Sequence, residues 1–341
     1  MLLMGSKLIA AVIGLGVGES HISGFEAHPR CQVKTLCDFN PSVLESNAQK
    51  YPEKKLVEKA DRIFEDPEID VVSIASYDSF HAEQIIQCLK SGKHVFVEKP
   101  LCLRHQELDL IVDALNSNPN LQLSSNLILR KAPRFEELKK KIGSGELGQP
   151  FHFEGNYDYG RLQKLTEGWR GNDPHYSVTH GGAIHLIDLI LWLSGKKIVN
   201  VHAFGNRIPT IDSVFNGNSL TTANLQFEDG ATGQITSNYA SVAPHHHKVS
   251  VYGTRGTFEQ SHLGAAYFHS RDSDYSPERV DSAYPGARKG DLLCNFIDSV
   301  LGEVEPIITK EEVLGAMSVS LAIDKSIQTR QVEEVGYPLL K

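Results

Sequence analysis

The chain has 341 residues, of which 40% are hydrophobic and 22% are charged, a balance typical of folded globular proteins and not of disordered or fibrous ones. A formal charge of −8 argues against nucleic acid as a partner, because a surface of that sign repels phosphates. A chain of this length predicts about two domains.

Short apolar strands alternate with amphipathic helices through roughly the first 125 residues. Strands are predicted at residues 8–13, 33–37, 71–75 and 94–97. A helix is predicted at 81–90, because its apolar positions recur at helical spacing. Strand and helix in alternation favour a parallel sheet covered by helices. Residues 1–125 are therefore predicted to form a doubly wound Rossmann domain.

The cysteines and the longest apolar run indicate the compartment. Five cysteines, with no C-x-x-C pair, predict reduced thiols and no metal site: Cys31, Cys37, Cys88, Cys102 and Cys294. The apolar run at 8–18 is shorter than the stretch of about 18 residues that a membrane-spanning helix needs. We expect a cytoplasmic protein with no membrane partner.

A glycine-rich turn follows the first strand. The candidate cofactor residues in it are Gly14, Leu15, Gly16, Val17 and Gly18. Glycines at such a turn permit a tight bend and a close approach of backbone N–H groups to a pyrophosphate. The usual third small residue, five positions after the first glycine, is replaced by Glu19. The turn predicts a dinucleotide site only in combination with its surroundings.

Asp38 supplies that context, since it closes the second strand 24 residues after Gly14. A carboxylate near this spacing accepts hydrogen bonds from the adenosine ribose and repels a 2′-phosphate. No arginine follows it directly, so NAD is favoured over NADP. The alternative is that Asp38 is only a turn residue before Pro41 and binds no cofactor.

After residue 150 the apolar pattern changes to period two. The odd positions of 151–159 are aromatic except for Gly155, which predicts an antiparallel strand buried on one face. Strands at 220–227 and 232–238 flank Asp229-Gly230, a hairpin turn, and 247–253 with 256–260 resembles a second pair. Helices are predicted at 182–193, 292–301 and 310–326. We expect 126–341 to be an α+β domain with a large open antiparallel sheet.

Motifs along nearly the whole chain resemble the Gfo/Idh/MocA family of NAD(P)-dependent oxidoreductases. The most specific is the string from Gly92 to Pro100, Gly-Lys-His-Val-Phe-Val-Glu-Lys-Pro. Others lie at 14–18, 74–81, 145–148, 169–170, 185–188, 227–230, 296–299 and 306–309. The resemblance implies a sugar or cyclitol dehydrogenase that forms a homodimer or homotetramer.

The resemblance also implies roles for residues after the third and fourth predicted strands. Lys99 would reach the substrate beside the nicotinamide and also contact the cofactor, and Glu98 and Ser76 would line the cofactor. Tyr77, which stands where the family often has proline, is a further candidate cofactor residue. His81 would lie near the nicotinamide half or order the loop.

His185 matches the family's histidine on a helix of the second domain. An imidazole suits proton abstraction from a hydroxyl because its ordinary pKa of about 6.5 is near working pH. The ammonium of Lys99 would stabilise the developing alkoxide. From the residues alone, a buried structural histidine is the alternative.

The chain departs from the family at Gly181, where many members carry an aspartate four residues before this histidine. Adjacent His180 is a candidate replacement, as a substrate ligand or a second acid–base group. Otherwise it is a polar residue at the entrance of the helix.

Further substrate candidates lie on segments expected to border the cleft between domains: Arg130, Tyr157, Trp169 and Arg170. The guanidinium of Arg170 suits a carboxylate, phosphate or sugar ring, although packing roles remain open for all four. His245-His246-His247 predicts no metal site, since neighbours on a strand point to opposite faces.

Three functions remain open at this point. The first is an NAD-dependent oxidoreductase acting on a hydroxyl or keto carbon of a sugar, nucleotide sugar or cyclitol. The second is a glycosidase on the same scaffold, in which NAD is reduced and reoxidised within each turnover. The third is a non-catalytic regulator that binds NAD or sugar.

Overall fold

The computed structural model describes residues 7–341, so the first six residues of the predicted first domain lie outside the described part. The chain divides into two units. One runs to Ile128 and includes Arg288–Leu314 and Pro338–Lys341; the other comprises Leu129–Ala287 and Gly315–Tyr337.

This division differs from two contiguous domains, because late segments of the chain return to the first unit. The ring of Phe296 packs on that of Phe96, with centroids 5.5 Å apart. The hydroxyl of Ser124 donates a hydrogen bond to the carbonyl of Ile308. These contacts join residues far apart in the chain, and a local pattern does not reveal them.

Fifteen strands and eleven helices are found in residues 7–341. The strands are β1 (Leu8–Ile13), β2 (Cys31–Cys37), β3 (Lys55–Val57), β4 (Val71–Ile74), β5 (His94–Val97), β6 (Leu123–Ser125), β7 (Pro150–Asp158), β8 (Ile198–Asn206), β9 (Leu220–Phe227), β10 (Thr232–Asn238), β11 (His246–Gly253), β12 (Thr257–Ser261), β13 (Gly264–Phe268), β14 (Glu278–Val280) and β15 (Glu333–Glu334). The helices are α1 (Glu19–Glu26), α2 (Pro41–Lys50), α3 (Asp61–Phe64), α4 (Asp78–Lys90), α5 (His105–Ser117), α6 (Pro133–Gly143), α7 (Gln163–Thr166), α8 (Trp169–Asn172), α9 (Ile184–Ser194), α10 (Leu293–Val300) and α11 (Lys310–Thr329).

The first unit contains the predicted parallel sheet, with strand order β3-β2-β1-β4-β5-β6. Strands β2 and β3 lie on one side of β1, and β4, β5 and β6 lie on the other. The loops that follow β1, β2 and β4 are therefore neighbours at the carboxyl edge of the sheet. This switch point is where open α/β sheets bind ligands. The Rossmann prediction is confirmed.

The second unit contains a nine-stranded sheet, ordered β14-β13-β12-β11-β7-β10-β9-β8-β15. Both predicted hairpins are present, β9 with β10 and β11 with β12. The sheet is not wholly antiparallel, because β7 runs parallel to β10. Alternation is confirmed where Phe153 and Tyr157 are buried, but Phe151, at the start of β7, is 51% exposed.

The predicted buried helix of the second unit begins with an irregular turn. A π-helical turn over Thr179–Ala183 leads directly into α9. Such turns are rare and frequently lie at functional sites. None of the helices in the described part of the chain is long and apolar enough to cross a membrane.

Candidate active site

The glycine turn of the first unit leaves room for a phosphate group. Gly14 has φ +86°, and a Cβ atom there would lie 2.4 Å from the carbonyl oxygen of Ala75. A Cβ atom on Gly18 would lie 2.2 Å from the carbonyl oxygen of Gly14. In contrast, a Cβ atom on exposed Gly16 would meet no atom within 4 Å. The turn is therefore tightly packed beneath and open at its middle glycine, which fits a pyrophosphate at the start of α1.

Asp38 is held against this turn. Its Oδ2 accepts a hydrogen bond from the backbone N–H of Leu15 at 2.8 Å, and its Oδ1 accepts one from Asn40 at 2.9 Å. Each carboxylate oxygen has a second lone-pair direction for a ribose hydroxyl. These remaining acceptor directions fit the hydroxyls of the adenosine ribose of NAD.

The residues after β4 are tied to the loop after β5. The hydroxyl of Ser76 donates to Gln84 at 2.7 Å. The buried ring of His81 lies between two carbonyl oxygens, 2.7 Å from that of Pro100 and 3.2 Å from that of Ser76. The contacts of His81 join the loop after β4 to the loop after β5, as expected for a residue that orders a loop. The cofactor roles of Ser76 and His81 stay predictions.

A buried polar network that sequence reasoning missed holds Glu98 at the end of β5. Asn126 donates to its carboxylate at 2.8 Å, and Nε2 of His21 lies 3.4 Å from the same oxygen. The other ring nitrogen of His21 is 2.7 Å from the hydroxyl of Ser73. Burial, the largest single effect, raises the pKa of Glu98, whereas the hydrogen bond and charge of His21 lower it. With Asn126 and the Lys99 ammonium they lower that pKa to about 2.

This network predicts an acid-sensitive contribution to stability. A lowered pKa means that the Glu98 carboxylate stabilises the fold above its ordinary pKa of 4.5, and that this stability is lost as the pH falls through about 2. Glu98→Gln is expected to cost about 2 kcal/mol above that window. Its Tm deficit against the wild type should shrink as the pH is lowered.

The control for this prediction is Glu65→Gln, which changes a carboxyl whose side chain is 68% exposed and should leave Tm nearly unchanged. A Glu98→Gln deficit that stayed constant across the acid range would contradict the prediction, since the loss would then not come from ionisation.

In the second unit, His185 projects from α9 onto a cluster of aromatic rings on the sheet. Its ring is stacked with that of Tyr157, with centroids 6.3 Å apart and 20° between planes. His247 lies 6.3 Å from His185 and 5.1 Å from Tyr157, and His245 lies 5.2 Å from Tyr157. Tyr157 is 5% exposed, whereas His185 is only partly buried. The ring of Tyr157 therefore covers one face of the His185 imidazole.

The protonation of His247 follows from its surroundings. Burial, with the nearby charges of His185, His245 and His246, holds the pKa of His247 well below 6.5. Burial also raises the pKa of Tyr284, whose oxygen is 2.5 Å from Nδ1 of His247. The two groups are therefore both uncharged and share one hydrogen bond. His246 instead lies against His262, at 4.4 Å, as the predicted alternation requires.

The absence of a side chain at Gly181 is explained by two neighbouring tyrosines. The hydroxyls of Tyr176 and Tyr239 are hydrogen bonded at 2.8 Å, and both side chains are buried. A Cβ atom on Gly181 would lie 2.1 Å from the first hydroxyl oxygen and 2.8 Å from the second. The tyrosine pair therefore occupies the space that any side chain at 181 would need.

Two of the predicted substrate residues border this tyrosine pair. The guanidinium of Arg170 lies 4.5 Å from the ring of Trp169 and 5.6 Å from that of Tyr176. Its charge also acts on the hydroxyls of Tyr157 and Tyr239. Trp169 and Arg170 thus belong to the same ring cluster as His185, and their contact with substrate stays a prediction.

The structure gives Arg130 and His180 other partners. Arg130 and Asp188 are each 1% exposed and form a bidentate ion pair, with a shortest N–O distance of 2.6 Å. The ring nitrogens of His180 lie 2.7 Å from the hydroxyl of Ser320 and 3.2 Å from a carboxylate oxygen of Asp324. These contacts attach α9 and its π-helical turn to neighbouring helices, and roles of either residue toward substrate stay predictions.

Comparison with known proteins agrees with this arrangement. Residues 8–126 match the model of an oxidoreductase family with an NAD-binding Rossmann fold, and residues 135–259 match the GFO/IDH/MocA C-terminal domain. The myo-inositol 2-dehydrogenase of Thermotoga maritima is 24% identical over 350 residues, covering 95% of this chain and 98% of that protein. The levoglucosan dehydrogenase of Pseudarthrobacter phenanthrenivorans is 28% identical over 206 residues, covering 56% of this chain and 52% of that protein.

Solved structures are similar in fold over nearly the whole chain. The scyllo-inositol dehydrogenase of Lactobacillus casei, with bound NAD(H) and scyllo-inositol, has a TM-score of 0.80 and 21% identity, covering 97% of this chain and 99% of that one. Both units therefore match in sequence and in fold. The chain belongs to the Gfo/Idh/MocA family of oxidoreductases, and its Rossmann domain binds NAD.

Proposed function

We propose that this protein is an NAD-dependent dehydrogenase that acts on a hydroxyl of a sugar, nucleotide sugar or cyclitol, or that catalyses the reverse reduction. The observation that carries the proposal is Lys99, whose ammonium follows β5 at the carboxyl edge of the NAD-binding sheet. Relatives named as inositol and levoglucosan dehydrogenases support the substrate class.

In this proposal His185 takes the proton of the substrate hydroxyl. Bound NAD supplies the hydride acceptor. The stacked ring of Tyr157 holds the imidazole in one orientation, so one of its nitrogens can be aimed at a hydroxyl without further ordering. An imidazole base suits this step because its ordinary pKa of about 6.5 lies near neutral pH.

Lys99 binds the oxygen from which the proton leaves. Its ammonium donates a hydrogen bond and stabilises the negative charge that develops there. Neighbouring Glu98 has a pKa of about 2 and is ionised at neutral pH, so a negative charge lies next to Lys99.

The test is turnover of a panel of inositols, sugars and nucleotide sugars with NAD, followed through free NADH. Accumulation of NADH with one of them supports the proposal. Hydrolysis of a glycoside with no free NADH would replace it with the glycosidase reaction. Binding of NADH with no turnover in either direction would indicate a regulator. The proposed homodimer or homotetramer is measured by sedimentation of the same samples.

A further inference from the structure

Two arginines of the second unit border the rings around Tyr157. The guanidinium of Arg161, in the loop after β7, lies 5.0 Å from the ring of Tyr159, which is stacked on that of Tyr157 with centroids 5.5 Å apart. The guanidinium of Arg170, on α8, lies 5.6 Å from the ring of Tyr176. Both positive charges act on the hydroxyl of Tyr157. Two segments of the chain therefore bring positive charge to one hydroxyl.

The same rings reach the proposed base. Tyr157, only 5% exposed, covers one face of the His185 imidazole. The groups around Tyr157 are more open to solvent, because Tyr159, Arg170 and His185 are partly exposed and Arg161 is exposed. A substrate whose hydroxyl contacts His185 therefore lies near two accessible guanidiniums.

Hydroxyl oxygens, and not carboxylates, fill the space at the start of α9. The hydroxyls of Tyr176 and Tyr239 occupy the position that a side chain at Gly181 would take. Burial, with the neighbouring hydroxyl of Tyr176, holds the pKa of Tyr239 well above its ordinary value of 10, so this hydroxyl is uncharged at neutral pH. It does not repel an anion as a carboxylate would.

The acidic residue next to Tyr157 does not face these guanidiniums. Asp158 follows Tyr157 on β7 and so points to the opposite face of the sheet, where it pairs with Lys248 at 3.1 Å. Within residues 7–341, no carboxylate forms an ion pair with Arg161. The charge of Arg161 is therefore available to a ligand.

We propose that the substrate of this protein carries an oxyanion, either a carboxylate or a phosphate, which Arg161 and Arg170 bind while the hydroxyl to be oxidised lies at His185. The substrate is then an acidic derivative of a sugar or cyclitol and not a neutral one. A guanidinium presents a planar fork of N–H groups that pairs with either oxyanion. The inference rests on the proposed dehydrogenase function, and it gives Arg161 a role in specificity.

The probes are sets of three ligands that share one sugar ring: the neutral sugar, its uronate and its 6-phosphate, in the gluco, galacto and manno series. Calorimetry on the full chain saturated with NADH gives each Kd. In at least one series, one anion is expected to bind at least about tenfold more tightly than the neutral sugar. Added NaCl should weaken that binding, because it screens exposed charges. A preference for the uronate identifies a carboxylate, and a preference for the 6-phosphate identifies a phosphate.

Arg161→Gln and Arg170→Gln are each expected to weaken binding of the preferred anion by about tenfold, and to leave the Kd of the neutral sugar within about twofold of the wild type. Arg161→Lys keeps the charge without the fork and should lose less than Arg161→Gln. Arg279→Gln, at an exposed arginine on β14 of the same unit, is the matched control and should change neither Kd. Melting temperatures show whether each variant keeps the fold.

The proposal is overturned if no anion binds more tightly than its neutral sugar, or if both glutamine variants, with wild-type melting temperatures, keep the wild-type preference. When neutral sugars or inositols are oxidised with release of NADH in that case, the dehydrogenase function stands and only the assignment of an anionic substrate fails. Absence of binding and of turnover throughout the panel, with NADH still bound, would remove both proposals.

Discussion

Lys99→Met and His185→Asn are each expected to lower kcat by about two to four orders of magnitude while NADH binding is retained. Loss of the imidazole removes the group proposed to take the hydroxyl proton. Loss of the ammonium removes the charge proposed to stabilise the alkoxide, and methionine keeps most of the side-chain volume. Because both effects arise in the transition state, KM should change much less than kcat.

The measurement is steady-state turnover with the substrate found in the panel, together with the Kd for NADH. His185→Asn should also lose the acidic limb of the pH profile, which a merely structural role would leave in place. The matched controls are Lys90→Met, an exposed lysine at the end of α4, and His152→Asn, a partly exposed histidine on β7. Both should turn over at the wild-type rate.

A His185→Asn variant with turnover within about tenfold of the wild type and an unchanged pH profile would show that another group is the base. Loss of NADH binding in Lys99→Met would instead assign Lys99 to the cofactor rather than to the chemistry. The two results lead to different revisions, so the pair of variants separates proton transfer from cofactor binding.

The parts of this fold that could be predicted from the sequence are those specified by neighbouring residues. Strands β1 and β5 have the predicted bounds, because each is a short apolar run bounded by polar or glycine residues. The hairpin of β9 and β10 is equally local, since Asp229-Gly230 specifies its turn. The glycine turn and Asp38 are recognisable for the same reason.

The features that the sequence did not predict depend on contacts between distant residues. His21 and Asn126 are 105 residues apart in the chain, yet their side chains lie 3.3 Å from each other and both contact Glu98. The parallel pairing of β7 with β10 depends on where the chain returns after α9, and period-two alternation is the same in parallel and antiparallel strands with one buried face. A polar residue directly after a buried strand, such as Asn126 after β6, is the signal that could have located the Glu98 network.

Gly181 shows why the family's usual aspartate cannot simply be restored in this chain. Gly181→Ala is expected to cost about 3 kcal/mol of unfolding free energy, because its Cβ would overlap a hydrogen-bonded pair of buried hydroxyls. Gly181→Asp should cost more, because it also buries a carboxylate in the same space. Denaturant unfolding with NADH absent measures both values.

The control is Gly143→Ala at the end of α6, where an added Cβ would meet nothing within 4 Å and stability should be unchanged or slightly raised. Tyr176→Phe removes the oxygen nearest to the new Cβ, so Gly181→Ala combined with Tyr176→Phe should be at least about 1 kcal/mol more stable than the two single losses predict. The explanation would be wrong if the losses of stability in the two single variants simply added in the double variant, or if Gly181→Ala were as stable as the wild type. Either result would mean that the two tyrosine side chains move aside at no cost in free energy. The absence of a side chain at 181 would then need a cause other than the space taken by the two hydroxyls.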